Sequence, residues 1–332
     1  MTEVLTESDL VLDAIQRYPV ANNPSAFLAL NDGNLYFRAE GVPGVVVYRE
    51  FDRYLVQFAG PFAPLEARRR LLQEFVRHAA ELGKEIVAVQ VQDGDAPDYV
   101  AEGFTVNQMG GSFALELSRF TLAGTAFMQL RNKISRALRT GMVVREVPLE
   151  QWHDAMLELD RGWLGTKGEN VKPLEFLVGQ YGGRYQPMRR VFIGETDGRL
   201  MGYITYSPVY GEHPGWLHDL TRRQPDAPPG VMEAINKTAI DTFIAEGVPW
   251  LHFGFTPFCE LETQPKFPGY SKAFHWFMSH LWEHGEMVYP AQTQHAYKHK
   301  WNPTLMTGEY IGFQHGASIP ALVHIFRACN AI

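Results

Sequence analysis

The chain has 332 residues, 45% hydrophobic and 20% charged, with a formal net charge of -7. This excludes a disordered polymer, leaves room for two domains with their own cores, and argues against indiscriminate nucleic-acid binding. The two cysteines, Cys259 and Cys329, lie too far apart in sequence for a ligand spacing and give neither a disulfide framework nor a thiolate zinc site. The N-terminus lacks the basic start and apolar core of a signal peptide, and no apolar run is long enough to span a bilayer, so a cytoplasmic location is expected.

In chain order, residues 8–18 predict a first helix, with Leu10, Leu12, Ile15 and Tyr18 roughly on one side. Strands are expected at Ala26–Leu30, Asn34–Arg38, Gly44–Glu50 and Tyr54–Ala59, separated by turn residues. A Gly-Pro-Phe-Ala-Pro loop leads into a helix of about twenty residues with Leu65, Leu72, Phe75, Val76 and Ala79 inward. Gly83 ends it, and a strand Glu85–Gln92 follows. The second half repeats the order: strands Val191–Thr196, Met201–Ser207 and Gly215–Leu220, a Pro-rich loop, a helix 231–246 and a strand Trp250–Phe255.

The repetition predicts an internal duplication of two α/β units, an order that matches the N-acetyltransferase (GNAT) fold. The expected division is an N-terminal GNAT-like domain over 1–118, a basic inter-domain helix over 119–145, and a C-terminal catalytic GNAT-like domain over 146–332. Neither strand-to-helix loop has the Gly-x-Gly spacing that lets a backbone wrap a pyrophosphate, which disfavours acetyl-coenzyme A as a donor.

Two stretches carry candidate chemistry. In Trp216–Met232 an apolar strand ends in charge and runs through a Pro-rich turn into a helix start, where Asp219 and Arg222 are expected at the mouth of an anion-favouring helix N-terminus. A surface ion pair is the alternative. Residues 119–145 contain no Asp or Glu. As a helix, Phe127, Leu130, Ile134, Ala137 and Leu138 form an apolar face, with Arg136 and Arg139 opposite and Arg131 and Lys133 at its edges. Such a face is a candidate contact for a phosphate backbone, or a solvated surface. If that face were only solvated, Arg184, Arg189 and Arg190 would be the next candidates.

Ordered motifs across both halves carry a resemblance. They are Ser25–Leu30, Gly60-Pro61, Phe120–Gly124, Leu130-Arg131-Asn132 with Arg136-Ala137 and Gly141, and Trp163-Leu164 with Lys167. Asp219-Leu220-x-Arg222-Arg223-x-Pro225-Asp226-Ala227-Pro228-x-Gly230-x-Met232-Glu233, Gly254, Pro257 and Lys298-x-Lys300-Trp301-x-Pro303 complete the set. Together they resemble the soluble C-terminal domain of the phosphatidylglycerol lysyltransferase, or multiple peptide resistance factor, family, from about Pro24 to Phe313. The resemblance implies tandem GNAT-like domains and an aminoacyl-tRNA donor whose amino acid passes to a hydroxyl or amine. No stretch here corresponds to the family's membrane-spanning part. The run before the Lys-x-Lys motif keeps Tyr289 and Gln292 but has Ala291, Thr293 and Gln294 where the family usually has Phe, Gly and Leu. The donated amino acid and the acceptor, a small metabolite of a biosynthetic pathway or a phospholipid head group, therefore stay open.

An aminoacyl ester is already activated, so the site has to hold the tRNA 3′ end, the donor's ammonium, the acceptor and an oxyanion. Asp219, Arg222, Lys298 and Lys300 are the catalytic candidates. Asp219 and Glu233 suit the ammonium, and Arg222 and the two lysines suit phosphate or oxyanion. As a strand, the Lys298-x-Lys300 segment would present both lysines on one side. Glu233, His218, Tyr289, Gln292 and Trp301 are candidate substrate contacts, Trp301 and Tyr297 by stacking on a base. His218, His295 and His299 are possible general bases. The expected mechanism is direct attack without a covalent intermediate, a cofactor or a metal. An acyl-coenzyme A N-acyltransferase and a non-catalytic tRNA or lipid-head-group binding module are the alternatives.

Overall fold

The computed structural model describes residues 6–18, 23–166, 172–262, 266–286 and 289–331. Alternating apolar positions build the strands β1 (Leu35–Phe37), β2 (Val45–Glu50), β3 (Tyr54–Phe62), β4 (Glu85–Gln92), β5 (Thr105–Glu116) and β6 (Val143–Val147). The later strands are β7 (Arg190–Thr196), β8 (Arg199–Val209), β9 (Gly215–Arg223), β10 (Trp250–Pro257) and β11 (Leu305–Phe313). All join one mixed sheet in the order β1-β2-β3-β4-β11-β5-β10-β9-β8-β7-β6. Two neighbouring pairs are parallel, β3 with β4 and β9 with β10; the other pairs are antiparallel.

Helices cover both faces: α1 (Glu7–Arg17), α2 (Leu65–Glu81), α3 (Ala96–Ala101), α4 (Met128–Leu138), α5 (His153–Gly165), α6 (Val231–Ala245), α7 (Lys272–His284), α8 (Ala291–His299) and α9 (Ile319–Ala328). Along β2, Val45 and Val47 enter the core shared with α1, α7 and α9, while Val46 and Tyr48 enter the core under α2 and α3. Near the other end, Phe192 and Ile204 pack under α4 and α6, and Val191, Ile193 and Tyr203 pack under α5. Each strand thus divides its side chains between two layers, as the two-residue period requires.

The parallel pairs share one sequence logic. Each is a strand, a helix (α2 or α6) and a returning strand, the connection a parallel pair requires. Gly83 and Gly247 end the two helices at φ of 68° and 75°. The sequence misplaced several elements. Ala26–Leu30 is a 3-10 helix rather than a strand, because Phe27, Leu28, Ala29 and Leu30 are all buried and need no alternation. Leu65, in the first turn of α2, is 60% exposed rather than inward. The window 119–145 is not one helix: two 3-10 turns precede α4, and Val143 and Val144 already belong to β6. The aromatic segment from Phe274 forms α7, which buries Phe274 and Met278 beside β5 and leaves Trp276 67% exposed.

Candidate functional site

Buried charged groups gather where β9 and β10 part. Their parallel pairing runs over Gly215–Leu217 and Trp250–His252 and stops there. Past that point Phe253 is an extra residue against β5, and Gly254 turns to φ 66°. A Cβ on Gly254 would press on Leu217 Cδ1 at 3.0 Å, so the position combines a left-handed backbone with close packing. Lys298, in the last turn of α8, reaches this point and donates from Nζ to the carbonyls of Gly254 and Phe255, both at 2.8 Å. It is 6% exposed and forms no ion pair among the described residues. Burial pushes its ammonium down to about 7, although Cys259 and Glu309 oppose the shift.

Glu309 is fully buried in β11 and accepts from Ser112 Oγ at 2.5 Å and Gln92 Nε2 at 2.9 Å. Burial pushes its carboxyl up to about 8 against those bonds and the Lys298 charge. Lys300, just past α8, pairs with Glu233 at 2.6 Å and lies 4.1 Å from the centre of the Tyr297 ring. Burial raises the Glu233 carboxyl, but the Lys300 ammonium outweighs it and leaves the group below its ordinary value. His218 faces the same side, ringed by Tyr206, Phe253 and Tyr297, with Nε2 2.7 Å from Thr221 Oγ1. Burial, then Lys298 and Lys300, hold its pKa down to about 3, so it is a neutral imidazole in physiological water.

Asp219 lies on the opposite face. Asp219 and Leu220 of β9 together oppose the single residue Thr205 of β8, and Thr205 Oγ1 accepts the Leu220 N–H at 3.1 Å. This bulge turns Asp219 toward Ser207, whose hydroxyl donates to it at 2.5 Å, and toward the backbone N–H of Gly179. Gly179 is fixed by contact: a Cβ there would lie 2.0 Å from Asp219 Oδ1. Burial pushes Asp219 up to about 6, opposed by Ser207, Arg189 and Gly179.

The four catalytic candidates are therefore not one constellation. Lys298 and Lys300 share the α6 and α8 side. Asp219 and Arg222 share the α5 side, away from the α6 N-terminus where the sequence placed them. There the Arg222 guanidinium lies 4.1 Å from the centre of the Trp163 ring and 3.8 Å from Asp160. The Lys-x-Lys segment is helical, not a strand, so its lysines diverge: one enters the sheet and the other meets Glu233. Trp301 is fully buried against Phe253 and Phe120 and is closed to a tRNA base. Tyr289 packs partly buried in the core shared with α7 and α9, and Gln292 donates to the Trp282 carbonyl at 2.8 Å, so both join helices rather than face Lys298. Lys167 lies outside the described residues.

On the basic helix, Leu130 and Ala137 are buried toward α6, while Leu138 is exposed. Arg131 donates to the Leu122 and Gly124 carbonyls, and so fastens the preceding segment. Lys133 is exposed, 4.0 Å from Glu233; Arg136 and Arg139 are exposed without an acidic partner among the described residues. The reserve arginines are all engaged. Arg184 pairs with Asp9, Arg190 with Glu146 and Glu246, and the buried Arg189 faces the Phe27 ring. Ser207, Gly179 and Glu309 escaped the sequence reading, since a lone Ser, Gly or Glu far from any motif carries no local signal.

The profile of the family described as phosphatidylglycerol lysyltransferase, C-terminal, matches residues 14–312. A Bacillus subtilis protein named phosphatidylglycerol lysyltransferase is 24% identical over 87% of this chain, which spans only 33% of that relative's length. Two solved structures share the fold. One is the C-terminal domain of a putative lysylphosphatidylglycerol synthetase from Agrobacterium fabrum, with a TM-score of 0.78 at 21% identity, covering 97% of this chain and 95% of that one. The other is L-PGS from Bacillus licheniformis, with a TM-score of 0.78 at 17% identity and 98% of each chain covered. Among the described residues no helix is long and apolar enough to cross a membrane.

Proposed function

The chain belongs to the phosphatidylglycerol lysyltransferase C-terminal family, and from that premise we propose that it is an aminoacyl-tRNA-dependent aminoacyltransferase. The observation that carries this reading is the buried amine of Lys298. Two of its N–H groups are committed to the Gly254 and Phe255 carbonyls. The remaining position on nitrogen holds either a proton or a lone pair, and a pKa of about 7 puts the two forms in balance. In this reading the acceptor's hydroxyl or amine attacks the ester carbonyl of the charged tRNA while Lys298 takes its proton. The carbonyl's bond to the ribose oxygen then breaks, and Lys298 returns the proton to that oxygen. No covalent enzyme intermediate is needed.

Lys300, held by Glu233 at the same opening, is the cation for the tRNA 3′ end. The exposed side chains of Lys133, Arg136 and Arg139 continue that charge as a phosphate track. Asp219 positions the β9 bulge rather than touching the donor. The strand, helix and strand repeated around each parallel pair support a tandem GNAT-like division, with the first unit as scaffold. The acceptor is a small metabolite or a lipid head group such as phosphatidylglycerol, reached from the cytoplasm or at the membrane surface.

Incubation with charged tRNA tests the proposal, with separate arms for phosphatidylglycerol vesicles, amine and hydroxyl metabolites, and acetyl-coenzyme A. Acceptor-dependent loss of the aminoacyl ester, abolished by Lys298→Met, is the expected result. Ester unchanged with every acceptor, or turnover with acetyl-coenzyme A alone, overturns it.

A further inference from the structure

Beside Lys298, on an adjoining face of α8, three side chains converge that the transfer reaction does not use. His295 and His299 are one helical turn apart, so their rings stack with centroids 3.9 Å apart. Both direct Nε2 at one carboxylate oxygen, Oε1 of Glu260, at 3.0 Å and 3.8 Å. The ligand atoms of the three residues all lie within 4.8 Å of one another.

A hydrogen bond accounts for only half of this arrangement. One Nε2 is within bonding distance of the oxygen, while the second stops 3.8 Å away. Tetrahedral zinc binds imidazole nitrogen and carboxylate oxygen at about 2.0–2.2 Å, which places neighbouring ligand atoms roughly 3.3 Å apart. The observed spacings bracket that value.

The surroundings hold the three groups in place. Phe113 packs edge-on against both rings, at 5.5 Å and 5.0 Å, and Trp282 packs against His295 at 5.3 Å. Glu260 adopts a left-handed backbone at φ 57°, which an ordinary residue avoids. Its carbonyl is anchored by Gln108 Nε2 at 3.1 Å. Two bonds fix the same loop at its root, Phe258 N–H to the Met109 carbonyl at 2.7 Å and the Cys259 thiol to the Thr256 carbonyl at 3.2 Å.

We propose that Glu260, His295 and His299 bind one divalent transition-metal ion, zinc by the character of the ligand set, with water completing its coordination. The ion ties α8 to the loop that follows β10. α8 carries Lys298, and β10, which runs directly into that loop, carries the Gly254 and Phe255 carbonyls it donates to, so the metal clamps the amine's setting from outside the reaction path.

The test uses the full chain, stripped with chelator and dialysed, then titrated with ZnCl2 and separately with CoCl2. Binding is read by calorimetry, the cobalt visible spectrum and the thermal midpoint. One equivalent per chain, a tetrahedral cobalt spectrum and a raised midpoint are expected. His299→Asn and Glu260→Gln should each weaken binding by roughly 10–100-fold or more, since even groups behind a metal ligand matter that much. His299 is 44% exposed on its side chain, so its replacement keeps the test open if His295→Asn fails to fold. His280 and His284 of α7 have the same spacing and stacked rings, and serve as the control. The proposal is overturned by absence of saturable binding, by binding unchanged in the His299 and Glu260 variants, or by binding that His280→Asn removes.

Discussion

The two parallel strand pairs open in the same way and are filled in opposite ways. β3 and β4 pair over Tyr54–Phe58 and Glu85–Val89, then Ala59 and Gln90 both turn left-handed, at φ 59° and 53°, and the pairing ends. This opening is sealed by its own side chains. Arg68 and Asp95 form a buried ion pair at 2.9 Å, and Arg68 also bonds Asp98 at 2.7 Å. Asp95 fills the space beside Gly60, where a Cβ would meet its carboxylate at 2.4 Å. Asn23 donates to the Gln90 carbonyl at 3.2 Å, and Gln57 to the Ala59 carbonyl at 3.0 Å. In the β9/β10 opening the buried cation has carbonyl partners and, among the described residues, no carboxylate bonded to it. Arg68 is held in place by two acids. Lys298 is held by two carbonyls, and burial lowers its ammonium to about 7.

Removing each cation should separate these roles. Lys298→Met replaces the amine with an apolar chain of similar length. Turnover should fall by about 10^2–10^4-fold, the range for losing a positioned acid or base, while the circular-dichroism spectrum stays that of a folded chain. A well-folded variant with near-normal rates would make the two openings equivalent. Arg68→Met should do the reverse. It strands a buried carboxylate, so stability should drop by about 3–5 kcal/mol in denaturant titration, with turnover per folded molecule unchanged.

The pH dependence sharpens the contrast. If Lys298 acts as a base, kcat/KM rises with pH through about 7, and the residual rate of Lys298→Met should lack that limb. Asp219 makes a separate, smaller contribution to stability. Its folded-state pKa, about 6, lies above the ordinary carboxyl value of 3.8, so the folded chain holds a proton that the unfolded chain releases. The stability it contributes is complete below 3.8 and is lost as pH rises through 6. Thermal midpoints of wild type and Asp219→Asn between pH 4 and 7 should therefore diverge, wild type losing ground as pH rises. Parallel curves would mean that the Asp219 proton is not linked to folding.

The smallest expected effect is at the surface. Changing Lys133, Arg136 and Arg139 together to Gln should flatten the log–log salt dependence of tRNA affinity by roughly two units. Folding should hardly change, since exposed charges contribute about 0–1 kcal/mol each pair. An unchanged slope would remove this helix from the tRNA path.

Much of this was legible in the sequence, for reasons that also set the limit. The strand, helix and strand of each half announced themselves through periodicity and through Gly83 and Gly247. The opposite facing of His218 and Asp219 followed from strand alternation. The Lys-x-Lys motif drew attention to Lys298 and Lys300, but its helical geometry did not follow from two lysines. The split between Lys298 and Asp219 depends on a bulge opposite Thr205 and on Gly179, which arrives from a loop far away in the chain. Glu309 gains its meaning only when β11 is placed beside β4 and β5, a long-range pairing without any local trace. The sequence predicts no metal at the histidines, because Glu260 meets His295 and His299 only through a loop bent by left-handed residues.

The position of β11 also sets the order in which the molecule can be made. Residues 305–313 pair with β4 on one side and β5 on the other, although both partners are synthesised about two hundred residues earlier. Until that segment leaves the ribosome, the nascent sheet carries two unsatisfied interior edges, one of them the apolar run Ile86–Val89. Such edges pair readily with other chains, so the interval before closure is when a chaperone has most to protect. Closure across so long a loop is also slow. A ribosome stalled just short of Leu305 should hold a chain prone to aggregation, whereas one stalled with β11 fully emerged should hold a protease-resistant sheet.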